Sequence, residues 1–445
     1  MKITFLQSAC VLIESDNTKI LCDPWLVDGE YYGSWSLYPP YELKPEKFDD
    51  VDYIYISHIH PDHCSPKTLS KLNKNIPVLI HNFPVKFLKD TVERLGFKVI
   101  ELDHDKRIQL KNNLHINILA ADNCDPSICG RFFGCAPLEY KFGTTQNDTM
   151  CVIDNGTEVL VNTNDCPYEL AYTAAKTIKE NYGNVDMLLV GYSGASPFPH
   201  CFDMNEKEKR IAATNNKEKM LKFGKSYVDL FKPKYFMPFA GRYTLSGNLF
   251  TYNYSRGEPE LEEAMEYFTS NVDQSKHKCI TLNPNASFDT NNGLASVPYT
   301  PIDIDAKKKY VNTILANMKL DYENEQKPET QELIDLILES YERFERHRKN
   351  IGFTSDTVVL IKLSEDITVV VSCNGRGYQL VNNKETSSFK KYLKTTLDPR
   401  LLKWILSKPQ KAHWNNAEIG AHINFKRVPD VYERGLHYAL SFFHA

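Results

Sequence analysis

The chain has 445 residues, with 42% apolar residues, 25% charged residues and a formal charge of −4 from 53 Lys and Arg against 57 Asp and Glu. That balance excludes a strongly basic nucleic-acid binder and a disordered polar chain, and the length predicts two domains. No run reaches the ~20 apolar residues of a membrane span, and the opening MKITFLQSAC holds too brief an apolar stretch for a signal peptide.

In chain order, residues 2–6, 10–15 and 18–22 alternate as short strands, with Ser15-Asp16-Asn17-Thr18 as a turn. The apolar run 51–57 reads as a buried strand and leads into His58-Ile59-His60-Pro61-Asp62-His63. Ser65-Pro66 then supplies an N-cap and a first-turn proline for a helix to about Leu72. Residues 77–80 and 98–102 bracket an amphipathic helix, Pro84 to Leu95, as a β-α-β unit. Strands are predicted at 107–110, 114–120, 149–153, 158–162 and 185–190, with a helix from Leu170 to Tyr182. A long charged helix runs from an N-cap at Asn205 to Leu230, followed by a last strand at 234–237 and a helix from Pro259 to Phe268.

Residues 284–303, rich in Asn, Pro, Ser and Thr, read as an exposed connection. Beyond it, helices are predicted at 305–319 and 329–350, strands at 357–363, 367–373 and 378–380, and helices near 387–394, 398–406 and 428–443. The division is therefore residues 1–295 as one domain and 304–445 as a C-terminal α+β unit.

Three imidazoles and a carboxylate within six positions need partners, because buried polar groups require hydrogen bonds or a metal. In extended chain His58 and His60 project to one side, while Asp62 and His63 fall where the chain turns into a helix. Two adjacent ligand sets result, which is what a dinuclear centre needs. Satisfied surface-loop histidines are the ordinary alternative; the strand before and the capped helix after favour metal. Cys124, Cys129 and Cys135 lack knuckle spacing and read as packing residues or free thiols. All eleven cysteines are scattered without a framework, which predicts reduced thiols and a cytoplasmic location.

The pattern HxHxDH at His58, His60, Asp62 and His63 resembles the metallo-β-lactamase superfamily. The segments 8–14 and 18–26 resemble the ascorbate-phosphate lactonase and CMP-N-acetylneuraminate hydroxylase branch. Ala120-Ala121-Asp122-Asn123, Asn162 to Cys166, Gly194 to Pro197 and Met237 to Gly241 point to its hydroxylase-like group. The resemblance implies an αββα sandwich over roughly residues 1–295, and a bridging carboxylate at Asp165, whose ordinary alternative is a turn residue. Asp62 and Asp165 would be the catalytic carboxylates. Where the family expects further histidines this chain offers Asp122 and, near the last strand, Arg242 and Tyr243. Asp122 would shift the site towards oxygen donors, which suit iron or manganese better than structural zinc. Arg242, Tyr243 and His200 are candidate substrate contacts, and Asp23 is a candidate for orienting a ligand imidazole.

These residues imply one or two divalent ions, zinc, iron or manganese. The leading expectation is a metal-dependent hydrolase whose metal-bound hydroxide attacks a small polar substrate, a sugar-linked one included. The alternatives are a non-haem iron oxygenase acting on a nucleotide-linked or amino sugar, and a metal-binding module without turnover. The sialic-acid hydroxylases carry a Rieske domain, and this sequence has no Cys-x-His pair, so an oxygenase here would need an external reductant. A homo-oligomer is compatible with the sequence; no nucleic-acid or membrane partner is expected. The run His413 to His422 is rich in functional groups and reads either as a cover for the centre or as packing of the extension.

Overall fold

A computed structural model describes residues 1–121, 148–407 and 410–444. Its first sheet has eight strands in the spatial order Leu294–Ala295, Ser287–Asp289, Lys2–Gln7, Cys10–Ser15, Thr18–Cys22, Tyr53–Tyr55, Val78–His81 and Val99–Leu102. The second has seven, in the order Lys278–Cys279, Tyr235–Phe239, Met187–Gly191, Val159–Asn162, Thr149–Asp154, His115–Ala120 and Ile108–Gln109.

Period-two alternation builds the layers. Ile118, Cys151 and Leu189 point into a core shared with Ile3, Phe5, Ile13, Ile20 and Leu79 of the first sheet. Their neighbours Leu119, Val152 and Leu188 face the other way, onto Ala171, Ala175, Val228, Phe231 and Phe268 of the helices Tyr168–Tyr182, Glu206–Phe231 and Leu261–Asn271. On the outer face of the first sheet, Ile54, Ile56, Val78 and Ile80 pack with Leu69, Leu88 and Val92 from the helices Pro66–Leu69 and Phe87–Arg94. The result is an α/β/β/α sandwich, as expected from the sequence.

Strand direction decides where chemistry can sit. Thr18–Cys22, Tyr53–Tyr55, Val78–His81 and Val99–Leu102 run parallel, as do Val159–Asn162, Met187–Gly191 and Tyr235–Phe239. Loops leaving the carboxyl ends of such strands form a crevice where ligands bind. Asp23, His58 and Asp165 all lie just past such ends. Thr149–Asp154 runs antiparallel to Val159–Asn162, so its start, beside Asp148, lies at the same edge.

A third sheet has the order Tyr378–Asn382, Ile367–Ser372, Val358–Lys362, Tyr392–Thr396 and Asn424–Val428. With the helices Thr330–Asn350, Pro399–Ser407 and Arg434–Leu440 it forms a core that also takes in Trp25, Tyr31, Trp35 and Leu245 from the sandwich region. Among the described residues no helix is long and apolar enough to cross a membrane.

Three expectations are corrected. The helix near 387–394 is instead a 3-10 turn, Asn383–Ser388, and a strand, Tyr392–Thr396, because Leu393 and Thr395 alternate into the core and pair with two flanking strands. The helix over 428–443 begins only at Arg434; residues up to Val428 form the edge strand of that sheet. The supposed connection at 284–303 also contributes two short strands, anchored by buried Phe288. Phe288→Ala should therefore cost about 3–5 kcal/mol in denaturant unfolding. Leu294→Ala, with Leu294 65% exposed, should stay within about 0.5 kcal/mol. Equal effects would contradict the strand assignment.

Candidate metal centre

The chain turns sharply at Asp23, which has φ +44°, a left-handed conformation that a non-glycine residue adopts only when its surroundings hold it. Its amide donates to the Tyr55 carbonyl (2.9 Å). Its carboxylate takes three hydrogen bonds: from the Ser57 amide (2.7 Å), the Ser57 hydroxyl (2.7 Å) and His63 Nδ1–H (2.8 Å). Because the Ser57 proton is committed to Asp23, the Ser57 oxygen accepts from His58 Nδ1–H at 2.9 Å. Both rings are thus held through Nδ1, with Nε2 directed at the carboxylates opposite.

The Nε2 atoms converge on carboxylates. His58 Nε2 lies 2.9 Å from His60 Nδ1 and 3.6 Å from Asp148 Oδ1. His63 Nε2 lies 3.2 Å from Asp165 Oδ1 and 3.5 Å from Asp62 Oδ2. Among the described residues, His58, His60 and Asp148 form one group able to hold an ion, and His58, His63 and Asp165 form another, with ligand atoms within 4.8 Å of one another. Two ligands each about 2.1 Å from one tetrahedral ion stand roughly 3–3.5 Å apart, so the donor spacings fit a cation.

A buried hydrogen-bond node supports the three loops. The Thr149 hydroxyl donates to the Ser57 carbonyl (2.9 Å) and meets the Tyr55 hydroxyl (2.8 Å). Asn164 Nδ2 donates to the Thr149 carbonyl (2.7 Å) and the Tyr55 hydroxyl (3.2 Å). Ser57, Thr149 and Asn164 each adjoin a ligand candidate: His58, Asp148 and Asp165. Gly191 is required beneath this node, since a Cβ there would stand 2.6 Å from the Asn164 carbonyl oxygen.

The electrostatics also suit a cation. Burial first, then His63 and His60, push the His58 imidazole well below its usual range. Burial would lower His63 too, but Asp165, Asp23 and Asp62 outweigh it and raise this imidazole well above. Burial pushes Asp148 up to about 6 and raises Asp62, while His63 holds Asp165 below its usual value against burial. Four carboxyl groups around three imidazoles make a pocket whose charge a divalent ion balances.

The structure thus brings His58, His60, Asp62, His63, Asp165 and Asp23 together. Asp122 lies outside the described residues, as do Cys124, Cys129 and Cys135. The remaining candidates have these neighbours. His200 is buried, its ring 5.6 Å from Tyr252 and its carbonyl accepting from Lys209. Arg242 lies over the Phe5 ring at 5.0 Å and beside Tyr192. Tyr243 is stacked on Trp35 at 3.6 Å with the Arg256 guanidinium on it at 4.3 Å, a packing role that leaves it 4% exposed. Sequence reasoning missed Asp148, Ser57 and Tyr31, whose hydroxyl donates to Asp62 Oδ1 at 2.6 Å. The one signal for Asp148 was an acidic residue directly before an apolar strand. Asp23→Asn, which removes an acceptor from the ring-fixing set, should weaken cation binding by about 10–100-fold in a cobalt(II) titration while circular dichroism stays unchanged. Unaltered affinity would contradict the role of Asp23.

Residues 2–120 match the family described as beta-lactamase superfamily domain. A protein of Mycolicibacterium smegmatis named as a Rieske 2Fe-2S iron-sulfur protein is 29% identical over 248 residues, 54% of this chain and 43% of its own length. The cytidine monophosphate-N-acetylneuraminic acid hydroxylase of Danio rerio is 26% identical over 254 residues, 54% of this chain and 38% of its own. The chain thus spans less than half the length of these relatives. Among solved structures, the isothiocyanate hydrolase from Delia radicum gut bacteria aligns with TM-score 0.42 at 11% identity, covering 65% of this chain and 98% of that one. CmlA, a diiron β-hydroxylase from Streptomyces venezuelae, aligns with TM-score 0.39 at 15% identity, covering 64% and 53%. Residues 2–120 are thus similar to the beta-lactamase superfamily domain, and the HxHxDH loop and the αββα layers agree with that similarity.

Proposed function

We propose that this chain is a metal-dependent hydrolase, with His58, His60 and Asp148 holding one divalent cation and His63, Asp165 and Asp62 a second. The observation that carries this reading is the convergence of two His/Asp groups sharing His58 at the carboxyl ends of the parallel strands. A cation held there supplies Lewis acidity and a water acidified towards neutral pH. The protein's part is to fix donors: Asp23 orients two imidazoles, and the Thr149 node sets the spacing of three loops. Hydrolysis needs only water as co-reactant. A small polar substrate would enter over the strand ends. We assign residues 1–295 to the catalytic domain and 304–445 to a C-terminal unit packed against it.

A specific observation favours a second reading. Each group has two imidazoles and one carboxylate, the donor set of non-haem iron oxygenases. The curated relatives carry Rieske and sialic-acid hydroxylase names. Under that reading the substrate is a nucleotide-linked sugar and electrons come from a separate reductant.

His58→Ala and His60→Ala should each remove most bound metal in elemental analysis while the far-ultraviolet circular dichroism is kept; full metal retention would refute the ligand set. Protein reconstituted with zinc or iron(II) should cleave a chromogenic lactone, ester or phosphoester under argon as fast as in air. Silence towards that panel, with substrate-dependent dioxygen uptake when a reductant and CMP-N-acetylneuraminate are supplied, would replace the hydrolase by the oxygenase.

A further inference from the structure

The loop carrying Tyr31 and Tyr32 has two successive bulky residues with left-handed backbone, φ +50° and +59°. Such a conformation is disfavoured for side chains of this kind and persists where the surroundings over-determine it. Two sets of contacts do so here. From the metal-binding loop, the Ser65 hydroxyl donates to Glu30 (2.5 Å), and Asp62 Oδ1 accepts from the Tyr31 hydroxyl (2.6 Å). From the C-terminal region, the amide of His413 donates to the Tyr32 hydroxyl (2.7 Å), and His422 Nε2–H donates to the Tyr31 carbonyl (2.7 Å).

The His422 imidazole has its own anchor. Tyr322 stands 3.1 Å from its Nδ1, and with Nε2 committed as donor, Nδ1 accepts from the Tyr322 hydroxyl. The ring is buried, and a Cβ at Gly420 would stand 2.7 Å from it, so glycine at 420 leaves the imidazole its place. Burial also holds this histidine down to about 4, which keeps it neutral and the donor in place at ordinary pH.

We infer that His422 is a positioning residue for the metal centre: through the Tyr31 carbonyl it holds the Tyr31 hydroxyl on one oxygen of Asp62, so that the other oxygen faces the cation position beside His63 and Asp165. The inference rests on the metal reading proposed above and extends it to residues 322 and 422, well past the 2–120 segment that matches the superfamily. The geometry at Asp62 agrees, since Oδ1 accepts the tyrosine hydrogen bond while Oδ2 stands 3.5 Å from His63 Nε2. The C-terminal unit thereby becomes part of the site rather than an appendage to it.

The test is a cobalt(II) titration of the full-length chain followed by its visible d–d bands, with Tyr31→Phe, His422→Ala and His422→Gln beside the wild type. Tyr31→Phe and His422→Ala should each weaken binding by about 10–100-fold and shift the bands. The double variant should be no weaker than about the worse single one, because both act through one hydrogen bond to Asp62. His422→Gln, whose side-chain amide can still donate to the Tyr31 carbonyl, should recover most of the affinity. Wild-type affinity in Tyr31→Phe, or a His422→Gln as weak as His422→Ala, would overturn the inference. So would a lowered melting temperature with cobalt binding intact, which marks a purely structural role. A wild type that binds no cobalt would instead defeat the metal reading itself.

Discussion

One buried carboxylate governs the centre. Asp23 accepts from the Ser57 amide, the Ser57 hydroxyl and His63 Nδ1–H, and through the Ser57 oxygen it also fixes His58. Without that set of bonds either imidazole could turn its Nε2 away from the ion position, and the ligand groups would lose a donor. The sandwich brings this carboxylate to the ends of the strands Thr18–Cys22 and Tyr53–Tyr55, which run parallel and side by side. The positive φ at Asp23 is the local cost of aiming its carboxylate inwards, held in place by the amide bond to the Tyr55 carbonyl.

The two sheets divide the work. The first supplies Asp23 and the His58–His63 loop. The second supplies Asp148 and Asp165 from opposite ends of two antiparallel strands, Thr149–Asp154 and Val159–Asn162. Thr149, Tyr55 and Asn164 tie the sheets together directly under the donors. A shift of one sheet on the other would therefore separate the imidazoles from two of the carboxylates, which links packing of the core around Ile118, Cys151 and Leu189 to the spacing of the site.

Much of this was legible in the sequence where the signal is local. His58, His60, Asp62 and His63 are contiguous, and the apolar strand before them and Ser65-Pro66 after them frame the motif. Asp165 was legible through family order. Asp148 was not, because its position follows from strand direction and pairing, which spacing along the chain does not encode. Arg242 and Tyr243 follow the strand Tyr235–Phe239, where Arg242 lies over Phe5 and Tyr243 packs with Trp35 and Arg256, contacts that spacing along the chain does not encode. In the C-terminal unit, Val358–Lys362 and Ile367–Ser372 were readable from alternating β-branched residues. The strand Tyr392–Thr396 was not, since partners on both sides override the helical tendency of its neighbours.

The central claim is that His58, His60, His63, Asp148 and Asp165 share one or two cations. Anomalous diffraction from a crystal of the full chain grown with cobalt or zinc tests it most directly. The account predicts peaks within about 2.0–2.3 Å of His58 Nε2 and His63 Nε2, with carboxylate oxygens of Asp148 and Asp165 completing the ligation. Metal bound only elsewhere, or imidazoles turned away from these carboxylates, would contradict it.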